Sequence, residues 1–373
     1  MKKVISLVLT LTLLCALLAG CGAFAGNPDT TNGTGSASKN TGEDVTINVY
    51  NWGQYIANGD DGSIDVIAEF EKKYPNIHVN YTTYDTNETL YTKLKTGGIS
   101  VDVIIPSDYM IARMIEEDML LPLDFDNIPN YSYIDEAYKN TAFDPENKYS
   151  VPYTWGSVGI IYNKKYVDEA DVTGWELLWN EKYAGKILMF GNSRDAFGIA
   201  EYLLGYDVNT TDEAELQACA DKLAEQKPLV QQYIMDEVFE IMENEEAWIA
   251  PYYAGDYLTM VEENPDLRFF RPEEQGYNLF VDGICIPTCA KEKEAAETFI
   301  NFLIDPEICA RNLDFLGYSV AETEAKQYLD AELVANDVAY PSEEQLRNAT
   351  SFDFLPEETS REMESLFMTV RNG

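Results

Sequence analysis

Trp52 and Tyr55 stand where rings can wall a ligand, at the end of a short apolar run. In INVYNWGQYI the β-formers Ile47 and Val49 alternate with polar Asn48, after Thr46, until Gly53 stops the run. Both rings therefore fall at the C-terminal end of a predicted strand, where open α/β sheets bind their ligands. The arrangement recurs. After VDVII, Pro106-Ser107-Asp108 and Tyr109 place a hydroxyl and a ring at a strand-to-helix junction, and a predicted strand at 247–250 runs into Pro251-Tyr252-Tyr253 and then Ala254-Gly255-Asp256. A further strand, 278–287, carries Phe280 and Asp282. Asp282 lies in apolar surroundings, where an unpaired charge is costly. Asp195 follows Ser193-Arg194 near a helix start, where an acid also serves to offset the helix dipole, and Asp256 suits a helix N-cap.

Catalysis has little support in these residues. The one histidine, His78 in the predicted strand INIHVNY, reads as structural, and no serine or cysteine has a base near it in sequence. No Gly-rich phosphate loop occurs. Paired carboxylates in a secreted hydrolase and an aromatic cleft for a sugar stand as the alternatives to a cation site. Cys285 and Cys289 are four apart around Pro287, about 13 Å in an extended segment and too far for a disulfide. With Cys219 and Cys309 they read as free and buried, and their spacing is not that of a zinc site, so neither metal nor cofactor is expected.

The elements that position these residues follow a βα rhythm. A helix patterned by Ile64, Ile67, Ala68, Phe70 and Glu71 and ending at Tyr74-Pro75 leads to a strand at 77–81, and Asp85 with Glu88 forms a capping box for a helix that runs through Lys95 to Gly97-Gly98. A buried strand at 101–105 and a helix at 109–117 follow. Residues 149–163 read as two strands joined through Trp155-Gly156, with Gly156 and Gly159 chosen for backbone freedom. The rhythm then restarts as a second lobe: a helix near 175–179, a strand at 187–190, and helices at 194–204 and 212–225. From Lys291 two more helices are expected, the second opened by Pro306 and closed by Gly317.

Composition bounds the reading. The 373 residues, 46% apolar, suffice for two domains, and 65 acidic against 26 basic residues give a net charge of −39, which argues against nucleic acid and favours attraction of a cationic small molecule. Residues 1–20 form a signal sequence: Lys2 and Lys3, an apolar run at 4–18, then Ala19 and Gly20. Leu18-Ala19-Gly20-Cys21 resembles the lipobox of bacterial lipoproteins, in which cleavage precedes the cysteine and its thiol receives a diacylglycerol. Loss of Lys2 and Lys3 takes the charge from −39 to −41. After Cys21, the small and polar residues up to 43 make a flexible tether of roughly 25 Å.

Taken in order, YNWGQYI, TTYDTNETLYTKLKTGG, DVIIPSDY, YSVPYTWGSVGIIYN, SRDAFGIAEYLLGY, FVDGICIP and INFL with a following GY resemble the polyamine-binding proteins of bacterial spermidine/putrescine ABC transporters. The resemblance runs from about Val45 to Tyr340. It implies a two-lobed type II periplasmic-binding-protein fold, α/β with an open sheet in each lobe, closing on ligand. Lobe one would comprise 44–156 and 281–327, and lobe two 157–280 and 328–373. It also implies an exported receptor, lipid-anchored through Cys21 at the outer face of the cytoplasmic membrane, that hands polyamine to the permease of an ABC transporter. Carried over by position, the aromatic box would be Trp52, Tyr55, Tyr109, Tyr253, Phe280 and Tyr318, with Ser107 as a polar contact and carboxylates at Asp195 and Asp282. Two departures stand out. Spermidine-preferring members have a further aspartate where this chain has Asn192, whereas Tyr253-Ala254-Gly255-Asp256 resembles a Trp-x-Gly-Asp string whose aspartate binds an amine in putrescine-preferring members. The resemblance thus leaves spermidine and putrescine both open.

Overall fold

The computed structural model describes residues 44–373; the expected signal sequence, Cys21 and the tether lie outside them. β1 (Val45–Trp52) buries Ile47, Val49 and Asn51 in strict alternation and lies parallel to β2 (Ile77–Tyr84). Between them α1 (Val66–Lys73) starts at Asp65, whose carboxylate accepts from the Ala68 amide at 2.9 Å. α2 (Asn87–Thr96) corrects the expected capping box. Its N-cap is Thr86, extended at φ −143° and accepting from the Thr89 amide, so Asp85 lies outside the helix and Glu88 sits in its first turn. β3 (Val103–Ile104) and α3 (Asp108–Glu116) complete this first run.

β4 (Ser150–Asn163) is one strand, buried at every position, where two were expected. Neither Gly156 nor Gly159 has a positive φ. They are needed for space instead: a Cβ on Gly156 would lie 2.7 Å from the Phe280 ring, and one on Gly159 would lie 2.4 Å from that of Phe269. The second run is β5 (Ile187–Phe190), α4 (Ser193–Leu204), α5 (Glu213–Gln226), β6 (Val230–Ile234), α6 (Val238–Glu243), β7 (Ile249–Tyr253), α7 (Ala254–Glu263) and β8 (Leu267–Phe270). Residues Trp175–Trp179 form a 3-10 turn. The chain returns through β9 (Tyr277–Cys285) to α8 (Lys293–Leu303), α9 (Pro306–Leu316) and β10 (Ser319–Val320), then ends with α10 (Ala331–Val334), β11 (Ala349–Thr350) and α11 (Glu357–Asn372).

The strand order is β2-β1-β3-β9-β4-β7-β5-β6. Residues 150–157 of β4 pair antiparallel with β9, and residues 158–162 pair antiparallel with β7. One continuous strand therefore feeds two cores. The first gathers Ile47, Phe70, Val103, Phe299 and Leu313, with a smaller cluster of Leu90, Ile104 and Met110 under α2 and α3. The second gathers Trp175, Phe190, Phe197, Ile249 and Phe367. Leu329, Leu333 and Tyr340, expected with the second lobe, pack on the first core, whereas Val338, Ala349 and Phe352 pack on the second. This is a two-lobed α/β fold with a cleft between the lobes. Cys219, Cys285, Cys289 and Cys309 are free, but Cys289 is exposed, because the chain turns at the surface there after leaving β9.

Candidate functional site

One cleft brings together Trp52, Tyr55, Ser107, Tyr109, Asn192, Asp195, Tyr253, Asp256, Phe280, Asp282 and Tyr318, every ligand-binding residue expected from sequence. Strand ends place most of them. Trp52 closes β1 and rests on Tyr84, with ring centroids 4.8 Å apart. Tyr55, in the turn after it, meets Tyr318 edge-on at 5.0 Å, and its hydroxyl donates to Asp282 Oδ2 at 2.5 Å. Phe280 lies between Tyr253 and Tyr318, at 5.4 and 6.4 Å. Gly317, at φ 75°, ends α9 and turns Tyr318 onto α7, where a Cβ on Gly255 would lie 2.6 Å from its ring.

The polar residues hold one another. Ser107 bridges to Asp282, tying the β3–α3 junction to β9. Asn192 is the N-cap of α4: its Oδ1 accepts from the Asp195 amide at 2.8 Å and its Nδ2 donates to Asp195 Oδ2 at 2.7 Å. The Tyr253 hydroxyl donates to the same oxygen at 2.8 Å. Asp256 is not an N-cap. Tyr253 occupies that position in α7, and Asp256 is buried two residues into the helix, beside the Tyr318 hydroxyl.

Six carboxylates line the cleft, those of Glu88, Asp108, Asp195, Asp236, Asp256 and Asp282, and among the described residues no Lys, Arg or His lines it. All six are held above the ordinary carboxylate range, in each case first by loss of water. Burial pushes Asp282 up to about 6 and the Asp195 charge adds to this, against hydrogen bonds from Tyr55 and Ser107. Asp108 is pushed up to about 8 by burial and the Asp282 charge, although it accepts from the amides of Tyr109 at 2.7 Å and Val281 at 3.3 Å. Of the unpartnered buried polar atoms around the cleft, Asp282 Oδ1 and Asn278 Oδ1 are acceptors and Trp52 Nε1 is a donor. The arrangement can hold an elongated cation between rings and carboxylates.

Residues 65–342 match the bacterial extracellular solute-binding proteins. The chain belongs to that family. It is 31% identical over 315 residues to the spermidine/putrescine-binding periplasmic protein of Escherichia coli (strain K12), covering 84% of this chain and 88% of that one. Two solved structures align over nearly their full length. They are the spermidine/putrescine ABC transporter substrate-binding protein PotD of Streptococcus pneumoniae (TM-score 0.72, 34% identity, 88% of this chain and 98% of that one) and the Tp0655 (TpPotD) lipoprotein of Treponema pallidum (TM-score 0.77, 28% identity, 88% and 100%).

In this solute-binding protein ten lining residues were missed from sequence, and three of them, Glu88, Asp108 and Asp236, are acids. Glu88 and Asp108 were visible but read as parts of helix starts. Asp236, in the loop after β6, had no local signal at all. The fold carries it across the cleft mouth to Gly53, where an added Cβ would lie 2.0 Å from its Oδ2.

Proposed function

We propose that this solute-binding protein captures a polyamine in the cleft between its lobes and delivers it to an ABC transporter permease. The observation that carries this reading is the cleft itself, with six carboxylates, a surround of aromatic rings and no basic side chain among its lining residues. A polyamine is a methylene chain with an ammonium every three or four carbons. Rings pack on the methylenes and attract the ammonium groups at about 0.5 to 2 kcal/mol per contact, while carboxylates pair with them through charge-assisted hydrogen bonds. A neutral sugar would leave the six carboxylates of the lining without a counter-charge, which a polyamine supplies. The spermidine and putrescine in the relatives' names agree with this chemistry. The eleven cleft residues expected from sequence are assigned as ligand contacts, Asn192 by orienting Asp195.

Calorimetric titration with spermidine, putrescine and a neutral hexose is the direct test. Both polyamines should bind, more weakly at 0.5 M than at 0.05 M salt, and the hexose should not. Hexose binding without polyamine binding overturns the reading.

The receptor works from the outer face of the cytoplasmic membrane, anchored by lipid on Cys21 and riding on the tether. Its lipobox supports this, as does the likeness to a Treponema lipoprotein. Cys21→Ala should move the protein from the membrane fraction to the soluble fraction. Retention of that variant in the membrane fraction refutes the anchor.

A further inference from the structure

Building on the polyamine reading, we propose that Asn278 is a further ligand-binding residue that determines specificity: with Asp282 on the same strand it forms a ruler fitted to a polyamine of spermidine's length. Side chains of a strand alternate between its two faces. In β9, Asn278, Phe280 and Asp282 line the cleft, whereas Tyr277, Leu279 and Val281 do not. No bulge breaks this alternation. Leu279, Phe280, Val281 and Asp282 pair in unbroken register with Ser157, Gly156, Trp155 and Thr154 of β4, and Asn278 pairs with Thr350 of β11. Residues four apart in a strand are about 13 Å apart, so the Asn278 and Asp282 side chains are offset by about that much along the cleft wall. Phe280 stands between them. Gly156, opposite it, leaves its ring room to lie over β4 as a floor for methylene groups, since an added Cβ would lie 2.7 Å from that ring.

Both ends of this ruler are unfilled. Asn278 and Asp282 are each 4% exposed, and Oδ1 of each is buried without a hydrogen-bond partner. An unpaired buried acceptor is costly and rare, so two of them on one cleft wall mark where donors from outside the chain arrive. Among the described residues no Lys, Arg or His lines the cleft to supply them, and Trp52 Nε1, the unpartnered donor of the lining, bonds neither. Extended spermidine measures about 11 Å between its terminal nitrogens and putrescine about 6 Å. Spermidine laid along β9 over Phe280 therefore brings one terminal ammonium to Asp282 and the other to Asn278. Putrescine held at Asp282 falls short of Asn278.

Calorimetry on the parent and on Asn278→Leu tests this with three ligands: spermidine, putrescine and the plain eight-carbon diamine, which matches spermidine in length but has no middle nitrogen. Leucine keeps the bulk of the side chain and removes the acceptor. The variant should lose roughly tenfold in affinity for spermidine and for the eight-carbon diamine, the worth of one hydrogen bond to a charged group, and less than about twofold for putrescine. Removing an unpaired acceptor should leave the melting temperature of the empty protein equal or higher. Equal losses for all three ligands, no loss for spermidine, or a loss confined to spermidine overturns the ruler. If Asn278→Leu melts early, Asn278→Ala should show the same dependence on ligand length, and its absence is equally decisive. A parent that binds neither polyamine refutes the functional reading itself, an outcome distinct from all of these.

Discussion

Asp282→Asn should weaken binding of both spermidine and putrescine by roughly 30-fold to 1,000-fold, or about 2 to 4 kcal/mol, the usual cost of removing one partner of a buried charge pair. Asp282 lines the cleft and is 4% exposed, so an ammonium of either polyamine can meet it out of water. Its Oδ2 is held by Tyr55 and its Oδ1 is unpartnered, which leaves one acceptor pre-oriented for an ammonium. Asparagine has the same shape but presents an N–H₂ donor and no charge, so the ammonium loses its counter-charge and meets a dipole of the wrong sign. The fold should not suffer. A carboxyl that burial raises to about 6 costs stability when ionised at neutral pH, so the neutral amide should leave the melting temperature of the empty protein equal or higher. Binding within threefold of the parent, with melting unchanged, refutes the assignment of Asp282 as an ammonium partner.

Polyamine affinity should fall steeply as the pH is lowered from 8 to 5, by about tenfold per pH unit for each carboxylate that must give up its proton. In the empty cleft Asp282 lies at about 6 and Asp108 at about 8, and Glu88, Asp195, Asp236 and Asp256 are raised as well. An ammonium pairs with the anion, so below these values binding has to expel protons. Stability follows the opposite course. An acid whose folded pKa exceeds its unfolded value of about 3.9 binds its proton more tightly when folded. The stability it contributes is full below pH 4 or so and is lost as pH rises through about 6 for Asp282 and about 8 for Asp108. The empty protein should therefore melt at progressively lower temperature from pH 5 to 8. The upward shift in melting temperature on adding spermidine should grow over the same window, because the ligand replaces the missing protons. Calorimetry in buffers of different ionisation enthalpy should register proton release at pH 6. A spermidine shift that is equal at pH 5 and 8 contradicts the prediction.

The aromatic half of the site was legible because each ring is announced by its own neighbours. Trp52 and Tyr55 follow an alternating strand, Ser107 and Tyr109 a buried one, and Tyr253 an apolar run. Strand periodicity and a stop signal are local, and the rule that ligands bind at strand ends turns them into a site. Gly317 was legible for the same kind of reason, as a helix stop that adopts φ 75°. Glu88 was misread because a first-turn acid has an ordinary local role. Only the position of Tyr109, 21 residues later and folded over it, diverts the side chain into the cleft.

β4 marks the same boundary. A run of fourteen buried residues cannot declare from its own composition whether it is one strand or two, since its partners, β9 for the first part and β7 for the second, come about a hundred residues later. Gly156 and Gly159 invited a reading in terms of backbone freedom, yet what they supply is room for Phe280 and Phe269, which sequence spacing does not encode. The α/β class, the aromatic walls and the acid-rich balance could be read along the chain, because periodicity, turn chemistry and charge are properties of neighbouring residues. That six carboxylates from separate elements share one cleft, which of them meet a phenol, and how far burial raises their pKa values emerge only from folding. Those are consequences of distance and of excluded water, and both exist only once the two cores have packed on either side of the shared strands.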